Sequence, residues 1–177
     1  MRIEISRRDQ VMKRYAAQLD SLGKGKAKVV MNRALNYEGR KAFTQVKRDV
    51  KVQGSFTSGM IKGMKFKSSG GNKLETSIVA PGTEINIRGF GARQFAYGTR
   101  AKVWNKFQKY PHTFAVARYG GLIYKRKGPG RGPIEQVWGP NLAREVLKDN
   151  APKGYFDSLP RIVDRVAVEI AAALRGY

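Results

Sequence analysis

At 177 residues, 41% apolar and 10% aromatic, the chain is long enough to bury a core and too apolar for wholesale disorder. Thirty-five Lys and Arg against thirteen Asp and Glu give a net charge of +22 and a pI near 10.6, a self-repelling surface suited to polyanions or acidic protein partners. The lack of cysteine excludes a disulfide framework, a thiolate nucleophile and a Cys-based zinc site; the start MRIEISRRDQ has no signal-peptide apolar region. No apolar run approaches the roughly 18 residues of a membrane span, so a protein used without secretion or membrane insertion is expected.

In chain order, residues 7–22 place Val11, Met12, Tyr15, Ala16, Leu19 and Leu22 at helical spacing. Ser6 stands as N-cap, Asp9 follows in the manner of a capping box, and Gly23 ends the pattern. A second helix is expected over 27–50, with Val30, Met31, Ala34, Leu35, Ala42, Phe43, Val46 and Val50 on a broad apolar side. Gly39 inside it costs roughly 1 kcal/mol relative to Ala, so the sequence implies a kink, a division into two pieces, or a close approach of another backbone. Both stripes read as core packing, with a subunit interface as the alternative.

Residues 57–64 suit a short helix weakened by Gly59 and Gly63, residues 65–67 the start of a strand, and residues 68–72 a flexible loop. Residues 74–80 and 84–88 read as two strands of a hairpin around Pro81-Gly82-Thr83. Three further runs with strand character follow at 113–118, 122–127 and 134–138, the first two joined by Tyr119-Gly120-Gly121, whose glycines can supply positive φ. The Gly- and Pro-rich segment 128–133 is expected to project as a loop bearing Lys125, Arg126, Lys127 and Arg131. Beyond it, a helix is expected at 142–149, a break at Ala151-Pro152-Lys153-Gly154, and a C-terminal helix over 158–175. That last helix carries Leu159, Ile162, Val163, Val166, Ala167, Ile170, Ala171 and Leu174, with Asp157 or Ser158 to cap it and Pro160 in its first turn. The fold class is α+β: a small antiparallel sheet within residues 65–138, packed with N-terminal helices and a C-terminal amphipathic helix in one domain, 1–177.

Between Glu84 and Glu135 there is no acidic residue, while Arg88, Arg93, Arg100, Lys102, Lys106, Lys109, Arg118, Lys125, Arg126, Lys127 and Arg131 are all present. Ion pairs within the segment cannot neutralise it. Phe90, Phe95, Tyr97, Trp104, Phe107 and Tyr110 are interleaved with these charges. Cations beside rings suit nucleic acid, through phosphates and base stacking, although rings at strand spacing also serve as core. An acidic protein partner accounts for the same cations.

No catalytic constellation can be assembled. The sole histidine, His112, has no nucleophile near it in sequence. Glu145 and Asp149 lie four apart on a short helix and read as solvated charges, and Asp164 and Glu169 do not share a face. Gly89-Phe90-Gly91 lacks the rest of a dinucleotide fingerprint, and there is no Walker motif. The chain is therefore expected to be non-enzymatic and free of cofactors; a metal-independent RNase using Arg, Lys and Tyr is the enzymatic alternative.

The order of parts carries a resemblance. An N-terminal helix precedes Val30-Met31-Asn32-Arg33-Ala34-Leu35, continuing to Val46-Lys47-Arg48-Asp49-Val50-Lys51-Val52, and a basic β segment follows. Next come Tyr110-Pro111-His112-Thr113-Phe114, a Gly turn with a basic run, Pro133-Ile134-Glu135-Gln136-Val137-Trp138-Gly139-Pro140, and the C-terminal amphipathic helix. In this order the chain resembles the minor tail protein Z family of tailed bacteriophages, a group of tail completion proteins, over nearly its whole length; residues 56–72 depart most. The resemblance implies a virion component of the tail and neck, assembled in the bacterial cytoplasm, that completes the head-proximal end of the tail and prepares it to join the head. It implies a homo-oligomeric ring, commonly sixfold, around the DNA channel, with tail terminator, tube and head-tail connector proteins as partners. Non-specific contact with DNA is a further expectation. Arg88, Arg93, Arg100, Lys102, Lys106, Lys109, Lys125, Arg126, Lys127 and Arg131 are the candidate partner- or DNA-contacting residues. The competing readings are a nucleic-acid-binding protein or RNase toxin of cellular origin, and a ribosome-associated protein.

Overall fold

The computed structural model describes residues 2–4, 23–71 and 73–175; the helix expected over 7–22 lies outside them. Helix α1, Lys24–Gly54, is the axis of the fold, 31 residues and about 46 Å long at the usual rise per residue. Ala27, Met31, Ala34 and Leu35 of its first half pack with Ile162 and Val166 near the C-terminus, while Ala42, Val46 and Val50 of its second half enter the main core. The stripe is thus covered within the chain. Ser55 ends the helix in the left-handed conformation, and the Phe56 N–H bonds back to the Lys51 carbonyl at 3.1 Å, closing a Schellman-type turn.

Gly39 does not divide α1. A Cβ there would stand 2.9 Å from Phe66 Cζ and 3.3 Å from Thr76 Oγ1, so the approach made here is that of side chains from a neighbouring sheet and not of another backbone. The stretch 68–72, read from composition as flexible, is pinned at Ser69. Its N–H and carbonyl bond the Asn36 side chain at 2.7 and 2.9 Å, its Oγ meets Asn32 Oδ1, and the residue is buried. Of two asparagines one helical turn apart on α1, Asn36 satisfies the backbone of Ser69 and Asn32 its hydroxyl.

A four-residue helix, α2 (Ser58–Ile61), follows, and the nine strands among the described residues, one before α1 and eight after α2, form three antiparallel three-stranded sheets instead of one. The first has β3 (Ser77–Pro81) between β1 (Arg2–Glu4) and β2 (Lys65–Lys67). The second orders β4 (Arg93–Phe95), β5 (Gly98–Val103) and β6 (Lys106–Pro111) in sequence. The third does the same with β7 (Thr113–Val116), β8 (Leu122–Arg126) and β9 (Ile134–Gln136).

The hairpin expected at 74–80 and 84–88 does not form. Asn86 is buried, and its side chain exchanges two hydrogen bonds of 3.0 Å with the Ile123 backbone while accepting one from the Arg88 N–H. The amide side chain thus takes the place of a strand partner and caps a 3-10 turn, Ile87–Phe90. The turn expected at Gly120-Gly121 is present, with φ of 64° and 75°, after a 3-10 turn at Ala117–Tyr119 that shortens the first of its two strands.

The second and third sheets are joined by side chains, which is why the ladder breaks between them. His112 reverses the chain at φ 57°. Thr113 Oγ1 accepts from the Thr99 N–H at 3.0 Å, and the Gln94 amide bonds the Thr113 carbonyl and the Ala115 N–H at 3.2 and 3.1 Å. These bonds supply what continuous strand pairing would otherwise supply.

Helix α3 is confined to Leu142–Glu145, with the Asn141 side chain capping the N–H groups of Ala143 and Arg144 at 3.0 and 3.3 Å. The expected break at 151–154 is instead the body of α4, Asn150–Phe156. Pro152 falls in its first turn, where a missing N–H costs nothing. Gly154 faces α1 so closely that a Cβ would lie 2.9 Å from Asp49 Oδ2. The residues that punctuate the sequence are here a legal helix start and a close packing contact. Helix α5, Leu159–Leu174, forms as its periodicity requires with Pro160 in the first turn. Ser158 gives it no side-chain cap; its Oγ donates to the Tyr155 carbonyl at 2.6 Å. The result is an α+β fold with small antiparallel sheets and a C-terminal helix. No helix among the described residues is long and apolar enough to cross a membrane.

Candidate functional site

A row of cations stands on the outer face of the second sheet. In an antiparallel ladder, paired residues share a face and alternate residues change it. Register places Arg93, Arg100 and Lys109 side by side across β4, β5 and β6, and pairs Lys102 with Phe107 one step along. All five are exposed, whereas Thr99, Ala101 and Val103 between them are buried. Alternation along β5 therefore sorts cations outward and core inward.

Rings complete this face. Phe95 is paired with Gly98 and lies stacked on Tyr97, with ring centroids 5.5 Å apart and planes 5° from parallel. Arg100 sits 4.3 Å from the Phe107 ring centroid and Lys109 5.6 Å from that of Tyr97. Phe107 remains 63% exposed and Phe95 42%, forgoing part of the roughly 1.5–3 kcal/mol that full burial of such a side chain yields. Among the described residues none of Arg93, Arg100, Lys102 and Lys109 takes part in an ion pair.

Tyr97 also borders an open groove of about 620 Å3 that runs past His112 and Phe114 to Lys125, Arg126 and Lys127. Arg126 lies 5.3 Å from the Phe114 ring centroid, and Lys127 is partly neutralised by Glu135 at 3.6 Å. The cationic loop follows, with Arg131 exposed on it.

The ten candidate cations thus separate. Arg93, Arg100, Lys102 and Lys109 form one face; Lys125, Arg126 and Lys127 line the adjoining groove. Arg88 is elsewhere: its guanidinium rests on the Gly120-Gly121 turn, 3.4 Å from where a Cβ of either glycine would stand. Lys106 pairs with Val103 at the hairpin end, on the opposite side of the pleat from Lys102. Of the six rings singled out in the sequence, Phe90 is core, Trp104 is tied to Glu145 at the hairpin tip, and Tyr110 is half-buried on the inner face, where burial raises its phenol above the ordinary value. Phe95, Tyr97 and Phe107 alone are presented with the cations.

Glu145, a solvated charge by its sequence spacing, is instead 2% exposed and accepts from Gln53 Nε2 at 3.0 Å, Trp104 Nε1 at 3.1 Å and Lys148 Nζ at 3.4 Å. Asp149, four residues on, lies outside α3 with φ 54° and is exposed, so the two do not form a pair. Lys148 stands at the i+3 position, but nothing in the spacing of Glu145 announces its partners at positions 53 and 104.

His112 is exposed between two strands, and among the described residues no group of three or more His, Cys, Asp and Glu is placed to hold a metal. The arrangement is a cationic, ring-bearing surface. The chain matches no protein-family model, no curated protein and no solved structure.

Proposed function

We propose that the chain is a non-enzymatic virion protein of a bacteriophage tail and neck. In this reading it completes the head-proximal end of the tail and supports head-tail joining as one subunit of a ring, sixfold as is common for such parts, around the DNA channel. The order of parts from Val30 to the C-terminal helix supports it, and one structural observation carries it: four cations without ion-pair partners among the described residues, held on a sheet whose hairpin tip is fastened to the helical layer through Trp104 and Glu145. A rigid platform of that kind keeps its charge available to the acidic surfaces of tail terminator, tube and connector proteins, or to DNA in the channel. The helices on other sides leave separate surfaces for neighbours, as a heterologous cyclic interface requires.

Deleting the reading frame from the phage or prophage that carries it tests the reading. Tails that fail to join heads, with infectivity restored by the chain supplied in trans and the chain detected in purified tails by mass spectrometry, are the expected result. Reversing Lys125, Arg126, Lys127 and Arg131 together should lower the yield of infectious particles. Normal assembly and infection after deletion would sink the proposal.

A further inference from the structure

We infer that the outer face of β4–β5–β6 binds nucleic acid with unpaired bases, the strand's phosphates meeting Arg93, Arg100, Lys102 and Lys109 and its bases stacking on Phe107 and on the Phe95–Tyr97 pair. This goes beyond the virion role and does not depend on it.

Three observations select this ligand. The first is the absence of competing charge: no acidic residue occurs between Glu84 and Glu135, and none of the four cations has an ion-pair partner among the described residues. A polyanion therefore displaces counterions and not protein carboxylates when it binds. The second is the exposure of three aromatic rings on the same side of one sheet, at 42%, 39% and 63% for Phe95, Tyr97 and Phe107. A duplex keeps its base faces stacked within itself and has no use for them, and an acidic protein surface needs only the cations. Unpaired bases use both.

The third is preorganisation. Cation-ring contacts hold Arg100 against Phe107 and Lys109 against Tyr97, and Phe95 is already stacked on Tyr97. The sheet beneath is fixed at both ends. At one end Asn105 Nδ2 bonds the Val52 carbonyl at 2.8 Å and Trp104 bonds Glu145; at the other the His112 N–H bonds the Tyr97 carbonyl at 3.0 Å. Little ordering is left to be done on binding. The groove from Tyr97 past His112 to Lys125 and Arg126 continues the track, so a strand that crosses the three β-strands meets further cations where it leaves the sheet.

DNA and RNA strands share this chemistry, and the test separates them. Fluorescence anisotropy of the purified chain is measured with labelled oligo-dT and oligo-U, with a duplex of the same length, and with poly-glutamate. Unpaired strands should bind more tightly than duplex or poly-glutamate, with oligo-dT against oligo-U deciding which sugar is preferred. With four phosphates engaged at a slope near −0.7 each, affinity should fall roughly fiftyfold between about 50 and 200 mM salt. Phe107→Ala should weaken strand binding by about tenfold, with Phe95→Ala acting in the same direction and both leaving duplex binding unchanged. Arg100→Gln combined with Lys109→Gln should flatten the salt slope by about 1.4. All four side chains are exposed, and circular dichroism checks that each variant is folded. Ring variants that bind a single strand as tightly as the parent would overturn the inference. So would duplex or poly-glutamate binding at least as tight as the strand, which would assign the face to packaged DNA or to an acidic protein. A strand-binding result stands whether or not the chain is found in tails, so failure of one proposal does not imply failure of the other.

Discussion

Trp104 Nε1 donates to Glu145 Oε1 across 3.1 Å, tying the tip of the β5–β6 hairpin to a carboxylate that is 2% exposed beside the end of α1. Trp104 takes φ 47° and Asn105 φ 58° to make this two-residue turn, a left-handed pair that usually calls for Asn-Gly. The turn is held by tertiary bonds. Asn105 donates its backbone N–H to Ser55 Oγ at 2.8 Å and its side chain to the Val52 carbonyl at 2.8 Å.

Trp104→Phe removes the indole donor and leaves the buried carboxylate short of a partner. Stability should fall by about 1–2 kcal/mol, read from urea unfolding midpoints. Amide exchange in β5 and β6 should quicken at the hairpin tip. In a Glu145→Ala background the same substitution should cost less, because the acceptor is already gone. Equal losses in both backgrounds would show that the two residues are not coupled.

Gly39→Ala sets two effects against each other. Alanine is favoured over glycine inside a helix by about 1 kcal/mol, but its Cβ would meet the Phe66 ring, itself packed 5.9 Å from the Phe43 ring centroid. The clash should win in the parent chain and lower the unfolding midpoint. With Phe66→Ala already made, Gly39→Ala should raise stability relative to that single variant. The change of sign is the diagnostic result; a gain in both backgrounds would mean the ring moves aside freely.

Gly98 and Gly128 make a second contrast. Gly98 has φ 139°, and a Cβ there would stand 2.2 Å from the Tyr110 carbonyl oxygen on the neighbouring strand. Neither backbone can retreat without breaking the ladder, so Gly98→Ala should cost about 3 kcal/mol or more. Gly128 has open space around its Cβ position and no positive φ, so Gly128→Ala should stay within about 0.5 kcal/mol. Thermal unfolding of the two variants checks both, and similar losses would mean that the β5–β6 ladder yields to a side chain at position 98.

What the sequence discloses follows from the range of the forces involved. Helix α5 is legible because Ile162, Val166 and Ile170 repeat at the period that buries one side, a signal contained within the element itself. The β7–β8 turn is legible because Gly120 and Gly121 take positive φ. The β5–β6 turn is not: Trp104-Asn105 lacks glycine, and its conformation depends on bonds to positions 52, 55 and 145. Helix α4 is hidden for the opposite reason, since Pro152 and Gly154 look like breakers until their places in the first turn and against Asp49 are known. The basic segment is plain in composition, but only register puts Arg93, Arg100 and Lys109 in one row and sends Lys106 to the other side. Arg88 reads like its neighbours until the Gly120-Gly121 turn folds beneath it.

Tyr110 supplies a prediction for alkaline pH. It lies on the inner face of β6, donates to Gln108 Oε1 at 3.2 Å, and is held above the ordinary phenol value by burial, which penalises the phenolate. A group whose folded-state pKa is raised above its unfolded value of 10.0 contributes stability that is complete below that value and is lost as pH rises through the folded pKa. The unfolded chain gives up this proton first, so rising alkali favours unfolding. Tyr110→Phe removes the contribution: its unfolding midpoint should fall less steeply than the parent's as pH rises past 10.0. Absorbance titration near 295 nm should show the variant lacking one late-titrating phenol. Parallel stability curves for the two proteins above that pH would mean that the Tyr110 hydroxyl is solvated and that the inner face of β6 is open to water.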